Sequence, residues 1–148
     1  MGRRARYRLV KSEPDAFSWA QQVAHGVEPW TGVRNHSAKL NLRAMRLGDQ
    51  AFFYHSNVGK EVVGLVEVVR EAYPDPTAEG GDWVAVDVRA VATLPRPVTL
   101  ATMKADPALE GLALIRLSRL SVVPVSPPHW RHICQLGGCE AEGTRATR

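Results

Sequence analysis

Four short stretches of this sequence carry side chains that chemistry can use. "VKSEP" brings Lys11, Ser12 and Glu13 together, and "WTGVRN" brings Trp30, Arg34 and Asn35 together. "FYHSN" sets Tyr54, His55, Ser56 and Asn57 in succession, and "RLSRLSV" adds Arg119 and Ser121. Each stretch joins an aromatic or apolar surface to hydroxyl, amide or charged groups. That combination suits a flat heterocycle: stacking on an aromatic ring contributes about 1–3 kcal/mol per base, and hydrogen bonds to the edge choose which base. The same residues also offer a second chemistry. Lys11, Glu13 and His55 can act as general acid and base if their side chains converge.

Six of these residues have a plainer role beside the chemical one. His55 fits a strand position facing water, with Phe53 packed inward. Trp30 fits a core or a lid. Lys11 and Glu13 fit a surface ion pair worth about 0–1 kcal/mol. Asn35 fits a helix N-cap. Arg34 is badly placed for the dipole of the helix that follows it, so its charge serves a contact instead.

The elements that must position these residues follow from periodicity and punctuation. "YRLVK" alternates and predicts a first strand over residues 7–11, ended by Pro14. "SWAQQVAHG" predicts a short helix, with Ser18 and Gln21 as a capping box and Gly26 as its stop. "EPWTGVRN" reads as a loop. "NHSAKLNLRAMRLGD" predicts a second helix with Ala38, Leu42 and Met45 at helical spacing. "QAFFYHS" and "EVVGLVEVVREAY" predict a hairpin joined by "NVGK", with Gly64 marking a bulge or bend. "PDPTAEGGD" is a loop, and "WVAVDVRAVATL" is a further alternating strand stopped by "PRPV". "TLATMKADPAL" predicts a helix capped by Thr99. "LALIRLSRLSVVPV" reads as extended, with Arg119 and Ser121 on one side. "SPPHWRHICQLGG" predicts a last helix, capped by Ser126, begun by Pro127 and stopped by Gly137.

These elements predict an α+β fold: five or six mostly antiparallel strands in a small, strongly bent sheet or barrel, with short flanking helices. The 148 residues suit one domain with its own core. Apolar residues make up 45% and charged residues 23%, an ordinary globular balance that argues against a disordered chain. No run of about 18 apolar residues is present, so no membrane-spanning helix is expected. The basic start lacks the apolar stretch of a signal peptide, and Arg6 stands where a myristoylation motif needs Ser or Thr. Two cysteines, Cys134 and Cys139, fall short of a disulfide framework, which gives a cytoplasmic, reduced expectation. The spacing of His129, His132, Cys134 and Cys139 matches no standard zinc finger, so no metal is expected. The net charge of +4 favours an anionic partner such as nucleic acid.

"YRLVKSEP", "WTGVRNHSAKLNLRAMRLGDQAFFYHSN", "VVGLVEVVREAYPDPT" and "RLSRLSVVPVS" stand in one order along the chain. Together they resemble the EVE domain family of the PUA-like superfamily, which is related to the YTH domains. The resemblance covers residues 7–137, leaving a basic extension over 1–6 and a tail over 138–148. It implies a bent PUA-type barrel and a pocket that takes a flipped, modified base such as 5-methylcytosine or a derivative, in DNA or RNA, without catalysis. It implies a lining of Lys11, Ser12, Glu13, Trp30, Val33, Arg34 and Asn35 from the first half. Tyr54, His55, Ser56, Pro74, Arg119 and Ser121 would complete it. In that picture Trp30 stacks on or walls the base, Arg34, Asn35 and Ser56 read its edge, and Lys11 favours the phosphates. A monomer with no cofactor is expected. The alternative is a nucleoside- or RNA-processing enzyme of the kind found among ASCH domains, using Lys11, Glu13 and His55. One departure is visible: where many relatives read "RNYQAR", this chain reads "RNHSAK", so His36, Ser37 and Lys39 replace an aromatic, an amide and an arginine.

Overall fold

A computed structural model describes residues 6–139; the basic Arg3 and Arg4, and the tail from 140 onward, lie outside them. Six strands form one mixed sheet in the order β2-β5-β4-β3-β1-β6. The elements run β1 (Tyr7–Ser12), α1 (Trp19–His25), β2 (Val27–Trp30), α2 (His36–Arg43), β3 (Gln50–His55) and β4 (Glu61–Pro74). They continue as β5 (Val84–Thr99), α3 (Leu100–Ala105), a 3-10 turn at Pro107–Leu109, α4 (Ala113–Arg116), β6 (Val122–Val125) and α5 (Pro127–Gly137). The expected bent sheet with short flanking helices is what forms, and it stays open at β2 and β6.

Both faces of the sheet are covered, because neighbouring residues on a strand point to opposite sides. Leu9, Phe52, Leu65 and Val123 build one core with Trp130 of α5. Val10, Phe53, Val66 and Val122 build the other with Trp19 of α1 and Leu42 of α2. The hairpin β3–β4 carries the expected bulge: Phe53 faces Gly64 while Tyr54 faces Val62, leaving Val63 over. Such an extra residue bends the strand and raises its twist.

The local punctuation reads true in the structure. Ser18 and Gln21 form the capping box, Asn35 caps α2, Thr99 caps α3 and Ser126 caps α5. Four expectations are corrected. "EPW" is not loop but the edge strand β2, paired antiparallel with β5; Pro29 is tolerated because an edge strand has one unpaired side. β5 does not stop at "PRPV" but runs on to Thr99. β2 covers only Val86–Arg89 of it, so Pro95 and Pro97 remove no ladder bond on that open side. Residues 112–121 are not extended: Leu112, Ala113 and Leu114 bury their side chains at the start of a single helical turn, after Gly111 at φ 82°. The left-handed residue that ends α5 is Gly138, at φ 81°, one residue beyond the expected stop.

One pairing is invisible in the local pattern. β1 and β3 are parallel, joined through α1, β2 and α2, and their register sets Lys11 beside Tyr54 and Ser12 beside His55.

Candidate nucleic-acid interface

The parallel register of β1 and β3 decides which candidate residues meet. Their C-terminal ends lie side by side, and the Ser56 N–H donates to the Ser12 carbonyl at 3.0 Å. Tyr54 belongs to the core on the Trp130 side of the sheet, so its neighbour Lys11 faces that side too. The Lys11 ammonium donates to the Ser118 carbonyl at 2.8 Å, and its main-chain N–H donates to the Ser121 carbonyl at 2.9 Å. Burial pulls the Lys11 pKa below its ordinary value.

A cleft of about 290 Å³ opens there, near the lower end of the size range of ligand pockets. Lys11, Lys60 and Lys104 give it three ammonium groups, while Tyr54, Ser56 and Asn57 give it hydroxyl and amide groups. Leu100, Leu114 and Ile115 supply an apolar wall. Burial raises the Tyr54 pKa, so its phenol stays protonated and able to donate at neutral pH. The turn that carries Asn57 and Lys60 is strained, with φ 71° and 51° at these two non-glycine residues. The Lys60 carbonyl accepts from the Leu100 N–H at 2.8 Å, which ties the turn to the start of α3. Held strain of this kind recurs at ligand sites. Beside the cleft, and sharing Lys104 and Ile115 with it, a second groove of about 520 Å³ runs along α3, the 3-10 turn and α4 to Arg116.

The other face holds a bed of aromatic rings. Trp30 meets Phe53 edge-on at 5.5 Å and Phe17 at 6.4 Å, and only 8% of it is exposed. The ring expected to stack on a base is therefore a member of the core. His55 is also engaged: its Nε2 accepts the Trp19 N–H at 3.0 Å, at the first turn of α1. That bond needs a neutral ring, and burial lowers the His55 pKa accordingly, against the opposing pull of Glu61. The Ser12 hydroxyl donates to the Phe17 carbonyl at 2.5 Å. Glu13 accepts from the N–H groups of Ala16 and Phe17 through its main-chain carbonyl, and it is exposed. Lys11 and His55 lie on opposite faces with separate partners, so the acid–base set Lys11, Glu13 and His55 does not converge.

The role of His55 has a measurable consequence. His55→Leu leaves the buried Trp19 N–H unpaired and is expected to cost about 1–3 kcal/mol in urea unfolding at pH 7. With a folded pKa below its unfolded value, His55 contributes stability that is present above about pH 6.5 and falls as pH drops below it. The variant should lose that part of the acid sensitivity.

Between β2 and α2, Val33 is buried and Arg34 is held rather than free. Asp75 sits behind them with none of its side chain exposed. It accepts from the Gly32 N–H at 2.8 Å and from Arg34 at 3.0 Å. The Thr77 N–H and hydroxyl add bonds at 2.8 Å and 2.7 Å. Burial alone would raise the Asp75 pKa; these hydrogen bonds outweigh it and lower it to about 2. Pro74 is the exposed neighbour that ends β4. Asn35 spends its side-chain oxygen on the Ala38 N–H at 3.0 Å. Arg119 and Ser121 lie in the turn before β6, not along a strand as expected. The departure at His36 also finds its partner: the imidazole stacks on Trp83 at 4.9 Å, with Arg34 and Lys39 over the same indole at 5.8 Å and 5.3 Å.

The structure thus brings Lys11, Tyr54 and Ser56 into one cleft. Trp30, Arg34, Asn35 and His55 lie outside that cleft, each with packing or hydrogen-bond partners within the protein. Sequence reasoning missed Lys60, Lys104 and Ser118 in the cleft, and Asp75 and Trp83 behind the Arg34 loop. Asp75 had a usable signal, since Asp-Pro-Thr is a pattern that turns on its own carboxylate. Among the described residues no three His, Cys, Asp or Glu side chains are grouped to hold a metal ion.

The EVE domain family matches residues 6–136. Protein Rpa0253 of Rhodopseudomonas palustris is 58% identical, with 90% of this chain and 94% of that chain covered and a TM-score of 0.86. The human THYN1 protein, solved in complex with 5-methylcytosine-containing DNA, is 31% identical with a TM-score of 0.84. There 92% of this chain and 99% of that chain are covered. The YTH domain of the Zygosaccharomyces rouxii MRB1 protein, solved with N6-methyladenosine RNA, shares the fold at 14% identity and a TM-score of 0.58, with 91% and 88% covered.

Proposed function

The chain belongs to the EVE domain family, and from that premise we propose that it binds a nucleic-acid strand carrying a modified base and leaves that base chemically unchanged. The observation that carries this reading is the cleft at the ends of the parallel pair β1–β3, where Lys11, Lys60 and Lys104 surround Tyr54, Ser56 and Asn57. Ammonium groups suit phosphates, and the buried Tyr54 phenol with the more open Ser56 hydroxyl and Asn57 amide suit the edge of a flat base. The base enters flipped out of its strand, which costs a few kcal/mol and is least costly for an unpaired base. The complex of THYN1 with 5-methylcytosine DNA makes 5-methylcytosine, or a derivative of it, the first base to test. The scattering of Lys11, Glu13 and His55 supports binding over turnover. The adjoining groove along α3 and α4 extends the surface toward Arg116, where neighbouring nucleotides of the strand have room to lie.

The test is a titration of the full chain with matched short DNA and RNA strands, each holding one modified or unmodified base, at several salt concentrations. Tighter binding to one modified strand, weakening as salt rises, is expected. Lys60→Ala and Lys104→Ala should each reduce the slope of log K against log salt by about 1, uniformly across strands. Ser56→Ala should leave that slope alone and narrow the preference between modified and unmodified bases. Affinity that ignores both salt and base modification would sink the proposal.

A further inference from the structure

We propose that Cys134 and Cys139 form a peroxide-oxidisable dithiol, which closes to an intramolecular disulfide across the C-terminal end of α5. The proposal stands independently of nucleic-acid binding. It begins with how the helix ends. Gly138 takes the left-handed conformation, the Cys139 N–H donates to the Cys134 carbonyl at 2.9 Å, and the Gly138 N–H donates to the Gln135 carbonyl at 3.3 Å. These two bonds define a Schellman motif, whose geometry brings the side chains at its two ends into contact, usually as a hydrophobic pair. Here both side chains are thiols. Cys134 belongs to the core cluster around Trp130, and Cys139 packs against that cluster.

The main-chain bond also limits the distance a disulfide must span. A carbonyl-to-amide separation of 2.9 Å with ordinary bond lengths keeps the two Cα atoms within about 6.8 Å, the upper end of what a disulfide bridges. The motif is clamped against fraying. A side chain at Gly137 would meet Leu94 at 2.5 Å, and the Arg96 Nε–H donates to the Leu136 carbonyl at 3.2 Å, so the last turn of α5 is seated on β5.

The two thiols differ in a way that assigns their order of reaction. Cys139 is half-buried and Cys134 is buried. The neighbouring Cys134 thiol lowers the Cys139 pKa, and the nearness of Cys139 together with burial raises that of Cys134. The more accessible sulfur with more thiolate character reacts first, and the buried one resolves it. The Cys139 thiolate attacks one oxygen of hydrogen peroxide; the O–O bond breaks, leaving a sulfenic acid and releasing hydroxide, which takes the proton lost from the thiol and becomes water. The Cys134 sulfur then attacks the Cys139 sulfur; the S–O bond breaks, the S–S bond forms and a second water leaves. Two thiols and one peroxide become one disulfide and two waters. A dithiol reductant reverses the change.

The experiment treats the reduced full chain with hydrogen peroxide and reads intact mass and iodoacetamide adducts under non-reducing conditions. The expected product is monomeric, about 2 Da lighter, takes up no adducts in place of two, and regains both after dithiothreitol. Cys134→Ser should stop at the sulfenic acid, trapped on Cys139 by dimedone. Cys139→Ser should react far more slowly, because its remaining thiol is buried. Two thiols still alkylated after peroxide, oxidation passing straight to the sulfinic acid in the unaltered chain, or disulfide-linked dimers as the main product would each overturn the proposal.

Discussion

Asp75→Ala is expected to cost about 3 kcal/mol of folding stability and to loosen the loop that carries Val33 and Arg34. The carboxylate is buried and gathers donors from Gly32, Arg34 and Thr77. Deleting it leaves the Gly32 and Thr77 N–H groups without their acceptor at once. Arg34 loses less, because 38% of its side chain is exposed and water can replace the carboxylate. Asp75→Asn keeps one oxygen acceptor and should cost roughly half as much. The pH dependence has a definite sign. The folded pKa is about 2 against an ordinary 3.8, so the stabilisation is present above about pH 4 and is lost as pH falls toward 2, amounting to about 2 kcal/mol. Urea unfolding at pH 7, pH 4 and pH 2.5 measures it. The parent should lose that stability over the acid range and Asp75→Ala should not; parallel curves for the two would show that Asp75 does not anchor the loop.

Gly64→Ala should be at least as damaging, for a different reason. A Cβ at this position would lie 2.3 Å from Cζ2, 2.4 Å from Cε2 and 2.5 Å from Cη2 of Trp19. The indole has nowhere to retreat. Its Nε1–H donates to Thr93 at 2.9 Å, the main-chain N–H of the same residue donates to His55 at 3.0 Å, and the ring packs edge-on against Phe53 at 5.2 Å. Overpacking a fixed ring costs about 3 kcal/mol or more when relief requires the backbone to move. The decisive measurement is a double-mutant cycle with Trp19→Leu, read by thermal or urea unfolding. Gly64→Ala should cost far less in the Trp19→Leu background than in the parent. An equal cost in both backgrounds would assign the glycine to bulge conformation alone.

These two positions lie on opposite sides of what sequence reading can reach. Gly64 inside an otherwise β-branched run announces a bulge, and the bulge is there. Nothing local announces Trp19, which lies 45 positions earlier in the chain. Asp75 looks like one more turn former between two strands. Its value comes from Gly32 and Arg34, more than 40 residues away.

The sequence by itself determined what is decided within a few residues. The caps at Ser18, Asn35, Thr99 and Ser126 were legible because each bonds an N–H three residues on. The hairpin β3–β4 was legible because its strands flank a short turn rich in residues suited to positive φ. The motif order also carried the family and with it the bent sheet. Only the tertiary structure decided the parallel pairing of β1 with β3, which places Lys11 with Tyr54 on one face and Ser12 with His55 on the other. It alone gave Trp30 to Phe53, Arg34 to Asp75 and His55 to Trp19, and it alone brought Lys60 and Lys104 to the cleft with Lys11. The reason is physical. A cap closes on its own backbone, whereas the free valence of a polar side chain is settled by whichever partner the folded chain delivers. Residue type therefore shows what a position can do, and long-range register shows which of those capacities remains unspent.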